Sequence, residues 1–528
     1  MAGGGEVEVH GSKSPVKIMA NIFISFIGAG VLGLPFAFRE AGILEGVTIM
    51  SIVSLISAKA MLLLIDCKYQ LIQKNLGHQS QNGSAKKQAL YKNEKNSNME
   101  KLDLIENEEL AHSQQEEPSK PAAPGQHLTY GDVGYYAIGS TGTLMVDCAI
   151  IVSQIGFCCA YLIFITENLS DYIQGLHLYQ WLLLMLPPLF LLTLIRHLST
   201  LAISSLFAQL SNLLAFAVVF WFDFEHFHHV DVHPREFSLE GFPFFLAVAM
   251  YCYEGAGMIL SLEASLHVDV RHTFRSYFKL TMFVVTFLYI TFGVSGYLSF
   301  GVETNAIITL NLPKGVGLDF AMVVKSCLCL ALFFTYPVMM FPVIQLLEKR
   351  FFHSAAKIPW KGNLLRFTMV LITGLVVMLI PNFANLMALV GATCCTLLAF
   401  IMPGLFHMSI FRGSLTKCQY ALDVMLIIIG VIGAIVGTWD ALVRMSENDE
   451  MDELFNNRPA FNMSETVTSI LRNDTQLISN ASLPVAPPIA SNIATNIVTN
   501  IAANNSTSLP ILDNVLGNLT QPQNVSVS

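Results

Sequence analysis

The chain alternates long apolar stretches with short polar ones, and one apolar stretch differs from the others. Residues 18–44 are long enough to span a bilayer, yet Gly28, Gly30, Gly33 and Pro35 interrupt the stretch at its middle. In hydrocarbon an unwound backbone leaves amide and carbonyl groups unsatisfied, so a break persists only where protein, water or a ligand supplies partners. We therefore predict a broken membrane helix with a binding site at the break. The alternative is that the glycines serve close helix packing only.

A second apolar stretch carries a similar interruption. It reads Tyr253-Glu254-Gly255-Ala256-Gly257-Met258, and it lies five predicted helices after the first break. Breaks in helices one and six predict an inverted repeat of five plus five helices, with a site near the middle of the bilayer. The first repeat is then 18–222, the second is 241–409, and 420–443 is an extra helix.

A count of apolar stretches of about 20 residues predicts roughly eleven membrane helices. The predicted spans are 18–41, 43–65, 143–167, 180–197, 199–222, 241–263, 276–299, 319–347, 364–381, 383–409 and 420–443. A composition of 53% hydrophobic and 13% charged residues agrees with an all-α, polytopic membrane protein, with 18–443 as its membrane domain. The polar segment 68–128 is predicted to be a disordered cytosolic loop within that domain.

The positive charges of the loops predict the orientation. On this helix count they share one side, which the positive-inside rule makes the cytosol. They are the lysines between Lys68 and Lys120, then Arg196, Arg271, Arg275, Lys279, Lys349, Arg350, Lys357, Lys361, Arg412 and Lys417. The tail 1–17 is then cytosolic, and an odd helix count places the tail 444–528 on the extracytoplasmic side. Two further lysines, Lys59 and Lys325, lie near helix ends, which is typical of snorkelling side chains.

The C-terminal tail contains seven Asn-x-Ser/Thr sequences, which predict N-glycosylation of a disordered extracytoplasmic segment. They are at Asn462, Asn473, Asn480, Asn504, Asn505, Asn518 and Asn524. Drift in a low-complexity Asn/Ser/Thr tail is the alternative. Asn82 also matches, but it is predicted to face the cytosol and to stay unmodified. A glycosylated tail fits either the plasma membrane or a lysosomal or vacuolar membrane.

The two breaks together suit a zwitterionic ligand. The half-helix that begins near Gly30 offers free amides and a positive dipole end to an anionic group, and carbonyls at the two breaks accept hydrogen bonds from a cation. An α-amino acid has both groups, and glycines let its carboxylate approach the backbone closely. The predicted substrate-binding residues are Gly28, Ala29, Gly30, Val31, Gly33, Cys252, Tyr253, Gly255 and Gly257.

Three polar residues are candidates for ion coupling. Glu254 comes just before the second break, where a carboxylate inside the membrane is costly and therefore suggests function; a structural cap on the broken helix is the alternative. Asp147 is a second carboxylate within a predicted span. Thr335 could join carbonyls near Ile27 in a sodium site, and helix packing is its simpler role.

Several short motifs resemble those of the amino acid/auxin permease family across most of residues 15–445. They are Met19-Ala20-Asn21-Ile22-Phe23, Gly28-Ala29-Gly30-Val31-Leu32-Gly33-Leu34-Pro35, Thr129-Tyr130-Gly131-Asp132, Gln154-Ile155-Gly156-Phe157-Cys158, Tyr253 to Met258 and Thr335-Tyr336-Pro337. The chain looks most similar to plant vacuolar neutral amino acid exporters and to animal proton-coupled amino acid transporters. The resemblance implies eleven helices in the fold of the amino acid-polyamine-cation superfamily, a cytosolic N-terminus and transport of small neutral amino acids, usually with protons.

One departure from that family concerns the coupling ion. The animal proton-coupled members carry a histidine about two turns before the glycine break, where this chain has Asn21. Asn21 therefore joins the candidates for ion coupling, in place of a histidine that would carry the proton.

The sequence as a whole predicts a secondary active transporter that moves small neutral L-amino acids by alternating access. The predicted coupling ion is H⁺, with Na⁺ as the alternative. A different class, an amino acid sensor that signals through 68–128 with slow or no transport, stays open. We find no nucleophile-base arrangement, phosphate loop or paired carboxylates with catalytic context, so the sequence does not predict an enzyme. No metal, cofactor or nucleic-acid partner is expected. The expected partners are neutral amino acids and the lipid bilayer, and the oligomeric state is left open, a monomer included.

Overall fold

The computed structural model describes residues 14–93, 128–173, 175–195, 210–211, 213–214, 216–221, 235–312, 320–351 and 359–456. Its fold is helical, and we number the α-helices in chain order. They are α1 (Pro15–Phe26), α2 (Leu34–Ala41), α3 (Ile43–Asn93), α4 (Tyr130–Ile138), α5 (Ser140–Tyr172), α6 (Leu178–Thr193), α7 (Phe242–Cys252), α8 (Ala256–Ala264), α9 (Phe274–Phe300), α10 (Phe320–Phe351), α11 (Pro359–Leu379), α12 (Phe383–Val390), α13 (Met402–Ile410) and α14 (Lys417–Asn456).

Within these ranges, eight helical segments are long and apolar enough to cross a membrane, or nine when α1 and α2 are counted as one bent span. The helix α6 is apolar but shorter. The predicted span 199–222 falls largely outside the described residues, with helical backbone at several positions of 210–221. The protein is therefore a multi-pass membrane protein, and the count of eleven helices stays a prediction.

The first predicted break is present. The helix α1 ends at Phe26, Ile27 and Gly28 are not helical, and a 3₁₀ turn over Ala29–Gly33 leads into α2. The two parts differ in direction by 53°. Pro35 lies in the first turn of α2, where its missing N–H costs no intrahelical hydrogen bond.

The second predicted break is also present. The helix α7 ends at Cys252 and α8 begins at Ala256, so that Tyr253, Glu254 and Gly255 are not helical. The two parts stay close enough in direction to count as one span, Phe242–Ala264. The prediction of two interrupted helices is thus confirmed in position.

The segment 68–128 differs from the prediction at its start. The helix α3 continues past its predicted end at residue 65 to Asn93, over a stretch rich in Lys, Gln, Leu and Ala, which are strong helix formers. The short helix α4 was not predicted either. It begins with a capping box, in which Thr129 and Asp132 satisfy each other's backbone N–H groups. Residues 94–127 lie outside the described part of the chain.

Glycines set how closely the broken helices pack on their neighbours. A Cβ added at Gly293 of α9 would lie 2.3 Å from the Phe38 ring of α2, so this half-helix rests directly on α9. The second broken helix packs on a π-helical segment, Gly391–Cys395, which follows α12. There a Cβ on Gly391 would lie 2.0 Å from the carbonyl oxygen of Ala247 in α7. These contacts hold both breaks against long, continuous helices.

Candidate substrate site at the two helix breaks

The two breaks open onto one cavity of about 250 Å³. Residues of both breaks, the 3₁₀ turn and α1, α5, α7, α8, α9 and α10 line it. They are Asn21, Ile24, Ser25, Phe26, Ile27, Gly28, Ala29, Gly30, Val31, Gln154, Phe157, Tyr161, Tyr251, Cys252, Glu254, Met258, Tyr289, Leu332, Thr335, Val338 and Met339. A cavity of this size is smaller than the usual drug-sized pocket, so it suits a small ligand.

The first break contributes backbone whose amides lack intrahelical partners to the cavity lining. Ala29 and Gly30 begin a helical segment, so their N–H groups have no acceptor within it, whereas the Val31 N–H binds the Gly28 carbonyl at 3.4 Å. Gly30 also brings this backbone against the second broken helix. A Cβ there would lie 2.9 Å from the Tyr251 ring and 3.3 Å from the Cys252 sulfur.

The second break places a carboxyl group on the cavity wall. Glu254 is 7% exposed, and its Oε1 accepts a hydrogen bond from the Gly257 N–H at 3.4 Å. The side chain therefore caps the N-terminal end of α8 and also lines the cavity. Both roles that the sequence suggested for Glu254, as a cap and as a candidate for ion coupling, are compatible with this position.

Tyr289 of α9 joins the two breaks. Its hydroxyl donates to the carbonyl oxygen of Phe26, the last residue of α1, at 2.6 Å, and lies 3.5 Å from the carbonyl oxygen of Cys252, the last residue of α7. These carbonyls belong to interrupted helices, where regular intrahelical partners are missing. The sequence reasoning did not find Tyr289, because a single tyrosine in an apolar helix gives no signal of such a contact.

Aromatic side chains close one wall of the cavity. The rings of Phe157 and Tyr251 pack edge to face with centroids 4.8 Å apart. The Tyr251 hydroxyl is buried without a hydrogen-bond partner among the described atoms. Since this pair lies directly behind Gly30, its bulk limits the space beside the first break.

Eight of the residues predicted for substrate binding or ion coupling line this cavity. They are Asn21, Gly28, Ala29, Gly30, Val31, Cys252, Glu254 and Thr335. The Thr335 hydroxyl donates to the Ala331 carbonyl of its own helix at 2.8 Å. Ser25, Gln154 and Tyr161 also line the cavity without having been predicted. Gln154 gave a usable signal, since polar side chains are rare within membrane helices.

The other residues predicted for substrate binding are not among those that line the cavity, and most of them have a packing or hydrogen-bonding role. Gly33 makes room for α12, since a Cβ there would lie 2.9 Å from Met387 Cε. Gly255 makes room for the Phe26 ring, at 2.7 Å. Tyr253 donates its hydroxyl to Thr286 Oγ1 at 3.0 Å. Gly257 has only ordinary contacts, the nearest at 3.9 Å, around a Cβ added to it.

Asp147 lies away from the cavity, beside α4. A Cβ added at Gly131 would lie 3.1 Å from Asp147 Oδ1. The helical spacing alone could not show which face of α5 is turned toward the cavity, because most of that helix is apolar on every side.

Charged residues form several pairs and clusters beyond the cavity, among them those of Glu263, Glu40 and Lys325, each of which connects two helices. Glu263 of α8 binds Lys68 and Tyr69 of α3, each at 2.5 Å. Glu40 binds both Arg39 and Arg444, at 2.7 and 3.0 Å, and so connects α2 to α14. The prediction that Lys325 snorkels is wrong. This lysine is 2% exposed and pairs with Asp171 at 3.0 Å.

The fold and the site define a class. Two interrupted membrane helices that meet at a small cavity within a multi-pass protein are typical of a transporter rather than an enzyme. Residues 11–84 and 111–443 match the family described as "Transmembrane amino acid transporter protein". This chain belongs to that family, the amino acid/auxin permeases.

Curated relatives match most of the chain. Amino acid transporter AVT3B of Arabidopsis thaliana is 34% identical over 454 residues, which cover 82% of this chain and 94% of the relative. Amino acid transporter ANT1 of Arabidopsis thaliana is 31% identical over 455 residues, which cover 81% of this chain and 92% of the relative. A solved Na⁺-coupled sialic acid symporter, in a substrate-bound outward-open state, aligns at 9% identity with a TM-score of 0.39, over 82% of this chain and 96% of that one.

Proposed function

We propose that this protein is a secondary active transporter that moves small neutral L-amino acids across a membrane by alternating access, coupled to protons. The observation that carries the proposal is the shared cavity, in which the amides of the first break and the Glu254 carboxyl group of the second break line the same small space. Its relatives' names, as amino acid transporters, support the substrate class.

The cavity favours a small substrate with a neutral side chain. Its volume of about 250 Å³ is below that of a drug-sized pocket and is enough to enclose a small amino acid. Among the described residues that line it, there is no lysine, arginine, histidine or aspartate. An anionic substrate side chain would therefore lose its hydration without gaining a partner of opposite charge, which is costly. A cationic side chain would have to compete with the proton for Glu254, the acidic residue among the described residues that line the cavity.

The two breaks have opposite polarity, which orients a zwitterion. The amides of Ala29 and Gly30 are donors and suit the substrate carboxylate. The carbonyls of Phe26 and Cys252 are acceptors and suit the substrate ammonium group. An amino acid that binds both the amides and the carbonyls connects the two helix breaks. Such a connection stabilises the occluded, loaded state of a carrier.

Glu254 is our candidate for proton coupling. A carboxyl group in this buried position is costly as an anion, so its charge depends strongly on which side of the membrane the cavity is open to. Protonation on one side and release on the other would then link proton movement to substrate movement. Asn21 and Thr335, which line the same cavity, are the alternatives for a sodium-coupled mechanism.

The orientation and the membrane are part of the proposal. We place the N-terminus in the cytosol and the tail 444–528 outside it, in a plasma, lysosomal or vacuolar membrane. The resemblance of the sequence to plant vacuolar neutral amino acid exporters favours an organelle membrane.

The test is uptake of labelled L-alanine by the purified protein in liposomes, under an imposed pH gradient. We expect uptake that follows the gradient in the wild type, loss of this dependence in Glu254→Gln, and retention in Thr335→Ala. Unlabelled L-serine should compete, whereas L-lysine and L-glutamate should not.

Two other results would change the assignment. Uptake that follows a sodium gradient and is lost in Thr335→Ala would replace the proton with sodium. A wild-type protein that binds L-alanine but moves none under either gradient would favour the sensor, and deletion of residues 94–120 should then abolish its output but not binding.

A further inference from the structure

We propose that in the empty carrier the Tyr289 hydroxyl donates its proton to the helix-break carbonyl in place of the substrate's ammonium group, and that this proton turns away from the carbonyl when an amino acid binds. This inference rests on the proposed function, because it concerns the same cavity. The inference goes beyond the proposed function because it assigns Tyr289 as a positioning residue that stabilises the helix breaks when no substrate is bound.

The geometry of the hydroxyl supports this role. Tyr289 is 1% exposed, and its oxygen lies between the last carbonyls of the two interrupted helices, at 2.6 Å from Phe26 O and 3.5 Å from Cys252 O. A hydroxyl has one proton, so it can fully satisfy only the nearer carbonyl. An ammonium group has three protons and could satisfy both carbonyls at once.

The surroundings fix the ring in this position. The Tyr289 ring packs on the Tyr253 ring with centroids 5.5 Å apart. Its helix, α9, also packs against α2 at Gly293. The backbone of α9 is continuous from Phe274 to Phe300. The hydroxyl therefore comes from a rigid support, and its proton can change acceptor by rotation about the C–O bond without movement of the ring.

The energetic consequence differs between the empty and the loaded carrier. Without the hydroxyl, the empty carrier would bury two carbonyl groups that lack a donor, and a buried unsatisfied polar group costs free energy. In the loaded carrier the substrate supplies the donors, so loss of the hydroxyl matters less. Removing it should therefore strengthen substrate binding. It should also slow the return of the empty carrier, because the closed state crossed during that return buries the two carbonyls most completely.

The variant Tyr289→Phe tests this prediction, because it keeps the ring and removes only the oxygen. We expect the KM for L-alanine in exchange to fall about 5-fold, as for the loss of one competing hydrogen bond. We expect net uptake to fall at least about 5-fold, since it requires return of the empty carrier. Exchange of labelled for unlabelled L-alanine needs only the loaded carrier, and its maximal rate should stay within about 2-fold of the wild type.

Tyr253→Phe is the matched control. It removes a hydroxyl from the adjacent ring, but this hydroxyl binds Thr286 and not the helix breaks. The ratio of exchange to net uptake should stay at the wild-type value in this variant. A purely structural role for Tyr289 would lower exchange and net uptake in the same proportion, and that result would overturn the proposal, as would a raised KM or no change.

A second measurement covers the case in which Tyr289→Phe does not fold. Incorporation of 3-fluorotyrosine at position 289 alone keeps the hydroxyl, and its ¹⁹F resonance should shift when saturating L-alanine is added. An unmoved resonance in protein that exchanges L-alanine would overturn the inference. Failure of the wild type to exchange or take up any amino acid would instead overturn the proposed function.

Discussion

The ammonium group of Lys68 lies 2.5 Å from the carboxylate of Glu263, and the side chains are 5% and 1% exposed. Tyr69 donates to the other carboxylate oxygen at 2.5 Å, and Arg271 approaches it to 3.9 Å. This cluster ties α3 to the end of α8, the half-helix that follows the second break. It fixes the position of α8 from the end that is far from the cavity.

Breaking this buried pair should destabilise the protein strongly. Glu263→Gln leaves the Lys68 ammonium buried without its counter-ion, and such a change costs about 3–5 kcal/mol. The double variant Lys68→Met with Glu263→Gln removes the orphaned charge and should recover a large part of that loss. Thermal unfolding in detergent measures both. An equal fall in melting temperature in the single and double variants would show that the buried charge of Lys68 is not the cause of the destabilisation.

The pair of Lys325 and Asp171 should respond asymmetrically to mutation. The lysine side chain is 2% exposed and the aspartate 24%, so water reaches only the acid. Asp171→Asn leaves a buried ammonium and should cost several kcal/mol, about as much as breaking other buried pairs. Lys325→Met leaves a carboxylate at the edge of solvent and adds apolar contacts, so it should cost less. The ranking of the two melting temperatures checks this, and the reverse order would contradict it.

Gly30 and Gly257 should differ sharply in their tolerance of a methyl group, although the sequence places them alike. Gly30→Ala puts a Cβ at 2.9 Å from the Tyr251 ring, so the ring or the 3₁₀ turn must shift beside the cavity. We expect L-alanine uptake to fall at least about tenfold, the effect of about 1–3 kcal/mol of overpacking. Gly257→Ala meets its nearest neighbour at 3.9 Å and should keep uptake near the wild-type rate.

Glycosylation of the tail provides a test of orientation. Replacement of the seven tail asparagines, from Asn462 to Asn524, by glutamine should abolish the mobility shift that an endoglycosidase produces on a gel. Asn82→Gln is the control, since the same motif lies in α3 on the proposed cytosolic side and should give no change. A shift that disappears with Asn82→Gln and persists in the sevenfold variant would invert the proposed topology.

The sequence by itself determined the class of the protein and the places where its helices break. Long apolar stretches must cross a membrane, and glycines inside them are costly unless the backbone there has another use, so Gly28 and Gly255 mark breaks that the structure also shows. These are local properties, set by composition and by backbone freedom. They also place Glu254 at the second break.

Only the tertiary structure decided which of these residues meet. It separates Gly30, on the cavity, from Gly33, which packs on Met387, and it turns Asp147 toward α4 and away from the cavity. It also brings Tyr289 to Phe26 across 263 positions of sequence. Such relationships depend on the rotation and packing of whole helices, and in helices that are apolar on all sides the residue pattern contains no information about which face turns inward.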